Sequence, residues 1–581
     1  MVWTEKQMEF LDLNKKGKFV VKACPGSGKT TCVCERIFKL LQDWENPNSG
    51  MAVLSFTNVA KNEIINKIEN EDKSLQLGYP HFFGTLDSFL NRFVFLPFGH
   101  LVMGCHLRPS LVGAPFNYWS GNDKLEDLFD KVTFNSEGHV IDKEKTNYYP
   151  KTDRKWNQIV SMKHQLKRKG FATQKDANYH SMRVLQQYPQ IAKALTLRFP
   201  NMIIDEAQDT SEIQMKIIDI LIQNGLKDII LVGDPEQGIY EWNTADPELM
   251  NEKYSLWEDS IEFDINFRSS QKICDFFSKL SDLNKIKSNV SFNENFPPEI
   301  IPHDDNFEEI ISNFINECID KGINISEDSV AVLFRSKDEP KKLNLENEGF
   351  SINTIFKDDG DSLKRSYSRN IILGNYFLYK NENLNSFKEF EKAYIKLKYR
   401  VSDSLKQRIN EEIRTIGLIN HRTNVYNFIN KFPKIDANQN VNEWILSINN
   451  KLGNGEDELN EISIKKNNRY VSKYLTFDNL FDEDYKENSQ TNYYLGTIHS
   501  VKGESFDAVL LILKNKGSEN THYKTYLKNN TNLMDSEELR IVYVGMTRAR
   551  KLLHVAVPSD AKEYWDEKFL NTSYQSKLTM F

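Results

Sequence analysis

The stretch Ala23-Cys24-Pro25-Gly26-Ser27-Gly28-Lys29-Thr30 follows the apolar run Lys18–Val21 and opens a helical pattern. Strand, glycine-rich turn and helix start, in that order, point backbone N–H groups at a polyphosphate. Pro25, Gly26, Ser27 and Gly28 form the predicted cradle. Lys29 is placed to reach the β/γ-phosphates of ATP, Thr30 offers its hydroxyl to Mg²⁺, and Thr31 continues the site. The strict pattern has Gly in the first position, where this chain has Ala23.

Working outward, short apolar runs end repeatedly in polar or glycine residues: Met51–Phe56, Met202–Ile204, Ile229–Val232, Val330–Phe334, Ala508–Leu513 and Leu552–Val557. Helical spacing lies between them, as in Val33, Ile37, Leu40 and Leu41, or Ile217, Ile218 and Leu221. This alternation predicts parallel α/β sheets, and the two groups of runs predict two such domains. Ligands of open parallel sheets bind beyond the carboxyl ends of the strands, where the polar clusters fall. Residues 94–197 and 376–485 break the alternation and read as mainly helical insertions.

The chain has 581 residues, 39% of them hydrophobic and 27% charged, enough for several packed domains. Its net charge of −7 leaves nucleic-acid binding to local basic and aromatic patches. Six cysteines without metal-ligand spacing read as free thiols in a reducing compartment. With no signal-peptide pattern and no apolar run of membrane-spanning length, a cytoplasmic protein is expected.

Asp205-Glu206-Ala207-Gln208-Asp209 follows the run Met202–Ile204. A carboxylate at a strand end beside a phosphate loop holds Mg²⁺, and its neighbour polarises an attacking water. Asp205 is therefore assigned to metal and Glu206 to the general base. Gln237, in Gly233-Asp234-Pro235-Glu236-Gln237, is placed to sense the γ-phosphate. Tyr240 and Trp242 follow, either stacking on bases or filling a core. Arg268 and Arg548, far apart in sequence, are candidates to stabilise charge on a transferred phosphoryl group. Gly496-Thr497-Ile498-His499-Ser500 precedes another strand and offers hydroxyls and amides to a nucleic-acid backbone. The basic run Lys163–Lys169 reads either as a phosphate-tracking helix face or as a solvated one.

The order of these motifs resembles that of superfamily 1A helicases of the Rep/PcrA/UvrD type, from Gln7 to Arg550. Gln7 resembles the adenine-reading Q motif. The phosphate loop resembles motif I, with Arg36 further along its helix as a nucleotide-site residue. Ser55–Ala60 resembles motif Ia, with Phe56 and Asn58 toward DNA, and Gly84–Phe89 resembles motif Ib, with Thr85 toward DNA. Asp205–Asp209, Gly233–Trp242 and Asn266–Ser270 resemble motifs II, III and IV. Gly496–Phe506 and Val542–Arg550 resemble motifs V and VI. The resemblance implies that Phe267 stacks on adenine, that Glu504 takes the ribose contact, and that Tyr240, Trp242, Thr497 and His499 meet single-stranded DNA. It implies two RecA-like motor domains: 1A over 1–93 and 198–262, and 2A over 263–375 and 486–581. Insertion 1B covers 94–197 and a reduced 2B covers 376–485. ATP would lie between 1A and 2A, and translocation would run 3′ to 5′.

Three positions depart from the family pattern. Asp87 stands where motif Ib usually has His, Asn243 where motif III usually has Arg, and Glu504 one place earlier than the usual motif V acid. With the short 2B, they also fit the UvrD-like component of a Gabija-type anti-phage system, whose partner is an OLD-family nuclease. Two expectations follow. One is an ATP-dependent 3′–5′ translocase or helicase acting on single-stranded or 3′-tailed DNA in repair or defence. The other is a DNA- or nucleotide-sensing regulatory ATPase that controls a partner nuclease and unwinds little. A metabolic P-loop kinase would leave motifs III to VI without a purpose.

Overall fold

The computed structural model describes residues 3–72, 75, 77–111, 132–142, 154–239, 245–281, 286–290, 296–336, 362–379, 382–399, 405–432, 435, 439–452, 476–477, 493–514 and 523–570. Two parallel sheets dominate it, as the alternating pattern predicts. The first contains β1 (Lys18–Ala23), β2 (Met51–Ser55), β3 (Phe82–Thr85), β4 (Asn201–Asp205), β5 (Asp228–Gly233) and β6 (Ile261–Phe263), in the spatial order β6-β1-β5-β4-β2-β3. The second contains β7 (Glu299–His303), β8 (Val330–Phe334), β9 (Tyr494–Thr497), β10 (Phe506–Ile512) and β11 (Ala549–Pro558), in the order β7-β11-β10-β8-β9. Every pairing within both sheets is parallel.

Both sheets are buried on two faces, so their strands read as continuous apolar runs. In β1, Phe19 and Val21 point to one face and Val20 to the other. Helices α1 (Glu5–Leu11) and α2 (Lys29–Gln42) cover the Phe19 side, where Phe10, Val33 and Ile37 pack against β1. The opposite side packs on helices 174–187, 189–198 and 212–223. Phe82, Phe89, Phe93 and Phe199 form an aromatic cluster there, the Phe89 and Phe199 ring centroids 5.3 Å apart. In the second sheet, α3 (Phe307–Asp320) covers one face and α4 (Glu537–Met546) the other.

The first helical insertion also carries two short strand pairs among its described residues, Ser110–Leu111 with Phe171–Ala172 and Val132–Phe134 with Val140–Asp142. The second is mainly helical where described, with one isolated bridge between Asn440 and Thr476, and its core includes Trp444, Phe390 and Phe428. The two insertions touch. Arg414 donates to the Arg108 carbonyl at 3.2 Å and stacks over Phe171.

The basic run 163–169 is not one solvated or phosphate-tracking face. Lys163 turns inward and pairs with Asp176 at 2.7 Å, with both side chains buried. All six cysteines are free. Among the described residues no helix is long and apolar enough to cross a membrane.

Phe89 is 1% exposed at the centre of the aromatic cluster. Phe89→Ala should cost about 3–5 kcal/mol of stability. Chemical denaturation followed by circular dichroism checks this, and a loss below ~1 kcal/mol would show that the cluster does not hold the first sheet to its helices.

Candidate nucleotide site between the two sheets

The strand order brings the motif loops together. β1, β5 and β4 are neighbours, so the phosphate loop after β1, the Asp234–Gln237 loop after β5 and the Asp205–Glu206 pair after β4 line one edge of the first sheet. Gly26 (φ +67°) and Gly28 (φ +75°) carry the loop through the left-handed region, and Lys29 and Thr30 open α2.

Lys29 Nζ lies 2.7 Å from Glu206 Oε1. Glu206 itself adopts a left-handed conformation (φ 57°, ψ 40°) directly after β4, a strained geometry for a residue with a Cβ. Its other oxygen accepts from Gln208 Nε2 at 2.5 Å. Burial alone would raise the Glu206 carboxyl, but Lys29, Lys502 and the Gln208 hydrogen bond outweigh it and hold the group low, at about 2. Asp205 is driven the other way, above the usual carboxylate range, by burial against the opposing charge of Lys29.

These residues fit a nucleoside triphosphate with Mg²⁺. Both Asp205 carboxylate oxygens are buried without a hydrogen-bond partner, as is the Ser27 hydroxyl in the loop. Asp205 and Thr30 offer oxygen donors suited to a hard cation, and its charge would relieve the desolvation that raises Asp205.

A short strand pair outside both main sheets, Ile265–Asn266 with Lys287–Ser288, leads into the segment that closes the site. Asn266, fully buried, donates from Nδ2 to the Pro25 carbonyl at 2.6 Å, while its Oδ1 accepts from the N–H groups of Arg268 and Ser269. The Phe267 N–H donates to the Gly26 carbonyl at 2.8 Å, which sets Phe267 beside the phosphate loop. A Cβ on Gly26 would lie 2.6 Å from Arg268 Cβ, so only glycine allows this approach. Arg268 Nη1 donates to the Thr547 carbonyl at 3.2 Å.

Four consecutive residues after β5 are each held by a different group beyond Ser270. The Ser281 hydroxyl donates to the Glu236 carboxylate at 2.7 Å. Arg548 Nη2 donates to Gln237 Oε1 at 2.6 Å, and Gln237 Nε2 donates on to Asp234 at 2.5 Å. Arg540 Nε donates to the Gly238 carbonyl at 2.7 Å. The His499 ring bonds the Ile239 backbone. One more bridge joins Lys502 Nζ to Asp209 Oδ2 at 2.7 Å. Burial, opposed by Lys502, pushes Asp209 up to about 6.

Several sequence-predicted residues are placed otherwise. Arg36 is not brought to the phosphate loop. Two turns along α2, its guanidinium donates to the carbonyls of Phe10, Asp12 and Lys15. It thereby clamps the turn after α1 onto α2. Gln7 does meet the loop, donating to the Ser27 carbonyl at 3.0 Å, but its Oε1 is spent on the Thr4 N–H in a capping box. Thr85 and Thr497 stand at the carboxyl ends of the edge strands β3 and β9, and each hydroxyl caps the following turn by accepting from Ser88 or Ser500. Asp87, at the usual His position of motif Ib, is turned into the fold. Its Oδ1 takes hydrogen bonds from Asn178 and Gln214, each at 2.9 Å, tying three helices together. Burial, with Arg335 adding, pushes His499 down to about 4, so the ring is neutral. Phe56 follows β2 half-buried, and Glu504 is exposed while its carbonyl accepts from Arg548 at 3.3 Å. Tyr240, Trp242 and Asn243 lie outside the described residues, as does the side chain of Asn58.

Sequence reasoning missed Gln208, Asn266, Ser281, Lys502, Asp209 and Arg540 as site residues. All but Ser281 sit inside or beside a motif, and apart from the Gln208–Glu206 hydrogen bond their partners are distant in sequence.

Similarity to known protein families agrees with this architecture. The model of the UvrD/REP helicase N-terminal domain matches residues 3–111 and 116–257, and that of the UvrD-like helicase C-terminal domain matches 424–559. The chain belongs to the UvrD-like helicase family. Among curated relatives, a Streptococcus pneumoniae protein described as an ATP-dependent helicase/nuclease subunit is 32% identical over 117 residues, 18% of this chain and 10% of that protein. A Natranaerobius thermophilus protein with the same description is 31% identical over 140 residues, 22% of this chain and 11% of that protein. The chain thus matches about a tenth of the length of these relatives.

Two outcomes test the seam. Asn266→Ala leaves the Pro25 carbonyl unpaired at a cost of about 1–2 kcal/mol, read as roughly 5–30-fold weaker nucleotide binding in a fluorescent-nucleotide titration. Unchanged affinity would show that Asn266 does not position the loop. The Lys502–Asp209 pair is lost as pH falls through about 6. The folded-state value is raised, so protonation of Asp209 favours the fold while it neutralises the bridge. Turnover should therefore show an acid limb near that pH without unfolding from this group. Removing the cation in Lys502→Met raises Asp209 further and should move the limb upward. A limb that stays in place would assign it elsewhere.

Proposed function

We propose that the chain is an ATP-driven motor that moves 3′ to 5′ along single-stranded DNA and opens 3′-tailed duplexes. The observation that carries this reading is the Arg548–Gln237 contact. A charge-stabilising arginine from one sheet grips the expected γ-phosphate sensor of the other, so nucleotide state and domain position are bound to the same atoms. Residues 1–93 and 198–262 are assigned to domain 1A, 263–375 and 486–581 to 2A, and 94–197 and 376–485 to the insertions 1B and 2B.

ATP with Mg²⁺ supplies the phosphoryl group that is transferred to water. Lys29, Thr30 and Asp205 bind it, and Phe267 and Gln7 flank its base. Polyphosphate draws Lys29 away from Glu206, and loss of that cation raises the proton affinity of Glu206 toward what a base needs. Glu206 then orients and deprotonates water, while Arg268 and Arg548 neutralise charge on the phosphoryl oxygens. Release of Gln237 by Arg548 is passed along Gly238 and Ile239 toward Tyr240 and Trp242. DNA crosses the carboxyl ends of β2, β3 and β9, where Phe56, Asn58, Thr85, Thr497 and His499 stand. Such work places the protein in the cytoplasm, in DNA repair or anti-phage defence.

A second reading is favoured by the relatives' description as helicase/nuclease subunits. In it the chain is a sensing component that controls a partner nuclease of the OLD family, as in Gabija-type systems, and unwinds little. Robust unwinding of a long 3′-tailed duplex by the isolated chain would set it aside.

Glu206→Gln should lower turnover by about 10²–10⁴-fold while ATP binding persists. Near-native turnover in this variant would remove Glu206 from its role. A dye at the 5′ end of single-stranded DNA should report arrival of the motor and a dye at the 3′ end should not, and the reverse pattern would contradict the polarity.

A further inference from the structure

The second sheet carries a cluster of ligating side chains that the nucleotide site does not use. On β11, Leu552, His554 and Ala556 point to the face covered by α3, while Leu553, Val555 and Val557 point to the other. His554 is thus buried beneath α3, its side chain 2% exposed and its ring 5.2 Å from that of Phe314. Glu299 on β7 is its direct cross-strand partner, so the two side chains share a face. Glu317 reaches the same point from the last turn of α3.

Neither ring nitrogen of His554 makes a well-formed hydrogen bond. Nε2 lies 3.4 Å from Glu317 Oε2 and 4.0 Å from Glu299 Oε2, and the three ligand atoms fall within 4.8 Å of one another. Two donors each ~2.1 Å from a tetrahedral ion stand about 3.4 Å apart, so the His554–Glu317 spacing already matches and Glu299 needs only a small rotamer adjustment. Lys321 pairs with the other oxygen of Glu317, which leaves Oε2 to the cluster. The histidine is buried and the carboxylates are partly exposed (28% for Glu317 and 57% for Glu299), so one side is open to water.

We propose that Glu299, Glu317 and His554 form a site for a divalent transition-metal ion, Zn²⁺ fitting best, with water in the remaining position. One imidazole and two carboxylates make a mixed N/O set that suits Zn²⁺ better than the all-oxygen sets of Mg²⁺ or Ca²⁺. The ion would staple the edge strand β7 and the end of α3 to β11, about 20 Å along that strand from Arg548 at 3.3 Å per residue.

Tag-free, metal-stripped full-length protein titrated with Co²⁺ tests this, with Zn²⁺ added as competitor. The expected result is one equivalent of Co²⁺ giving a tetrahedral d–d absorption that Zn²⁺ displaces, and a higher melting temperature with Zn²⁺. Glu299→Gln, at an exposed position, should weaken uptake at least tenfold and leave the circular dichroism spectrum and ATP hydrolysis unchanged. Absence of the absorption, or Co²⁺ uptake that Glu299→Gln does not weaken, would overturn the proposal and leave a buried histidine beside two carboxylates.

Discussion

The Arg548 guanidinium sits in the seam between two parallel sheets and donates to Gln237, whose amide donates on to Asp234. The arrangement of the site depends on this buried chain. Arg548 also bonds the carbonyls of Val544 and Glu504 and the Thr547 hydroxyl, so its position is fixed by its own domain before it reaches across. Removing one partner of such a chain strands buried charge, which makes the two sheets act together rather than as neighbours.

The rest of the seam repeats the device at shorter range. Asn266 and Phe267 hold the phosphate loop by its carbonyls, while Ser281, Arg540 and His499 hold the residues around Gln237. Backbone carbonyls serve as handles in several of these contacts. A carbonyl handle fixes the path of a loop without consuming the side chains that bind nucleotide. The strain stored in the left-handed Glu206 is over-determined in the same way, by Lys29 on one oxygen and Gln208 on the other.

Much of this was legible in the sequence where chemistry is local. The phosphate loop, the Asp205–Glu206 pair and Gln237 each follow an apolar run, and a run followed by polar residues is a strand ending at a site. The two parallel sheets follow from the same alternation. What stayed hidden depends on partners distant in sequence. Nothing near Arg36 says that it will clamp the carbonyls of Phe10, Asp12 and Lys15. Nothing near Asp87 announces Asn178 and Gln214, and the basic run 163–169 conceals the buried partner of Lys163. The Glu299–Glu317–His554 cluster was equally invisible, because its members meet only through strand register and helix packing.

In the proposed motor, nucleotide state is transmitted through the loop after β5 toward Tyr240 and Trp242. The direct test is single-stranded DNA affinity, measured by fluorescence anisotropy with and without a non-hydrolysable ATP analogue, in the native chain and in Arg540→Ala. The analogue should change DNA affinity in the native chain, and the change should shrink in Arg540→Ala while analogue binding persists. DNA affinity indifferent to the analogue in the native chain would contradict it.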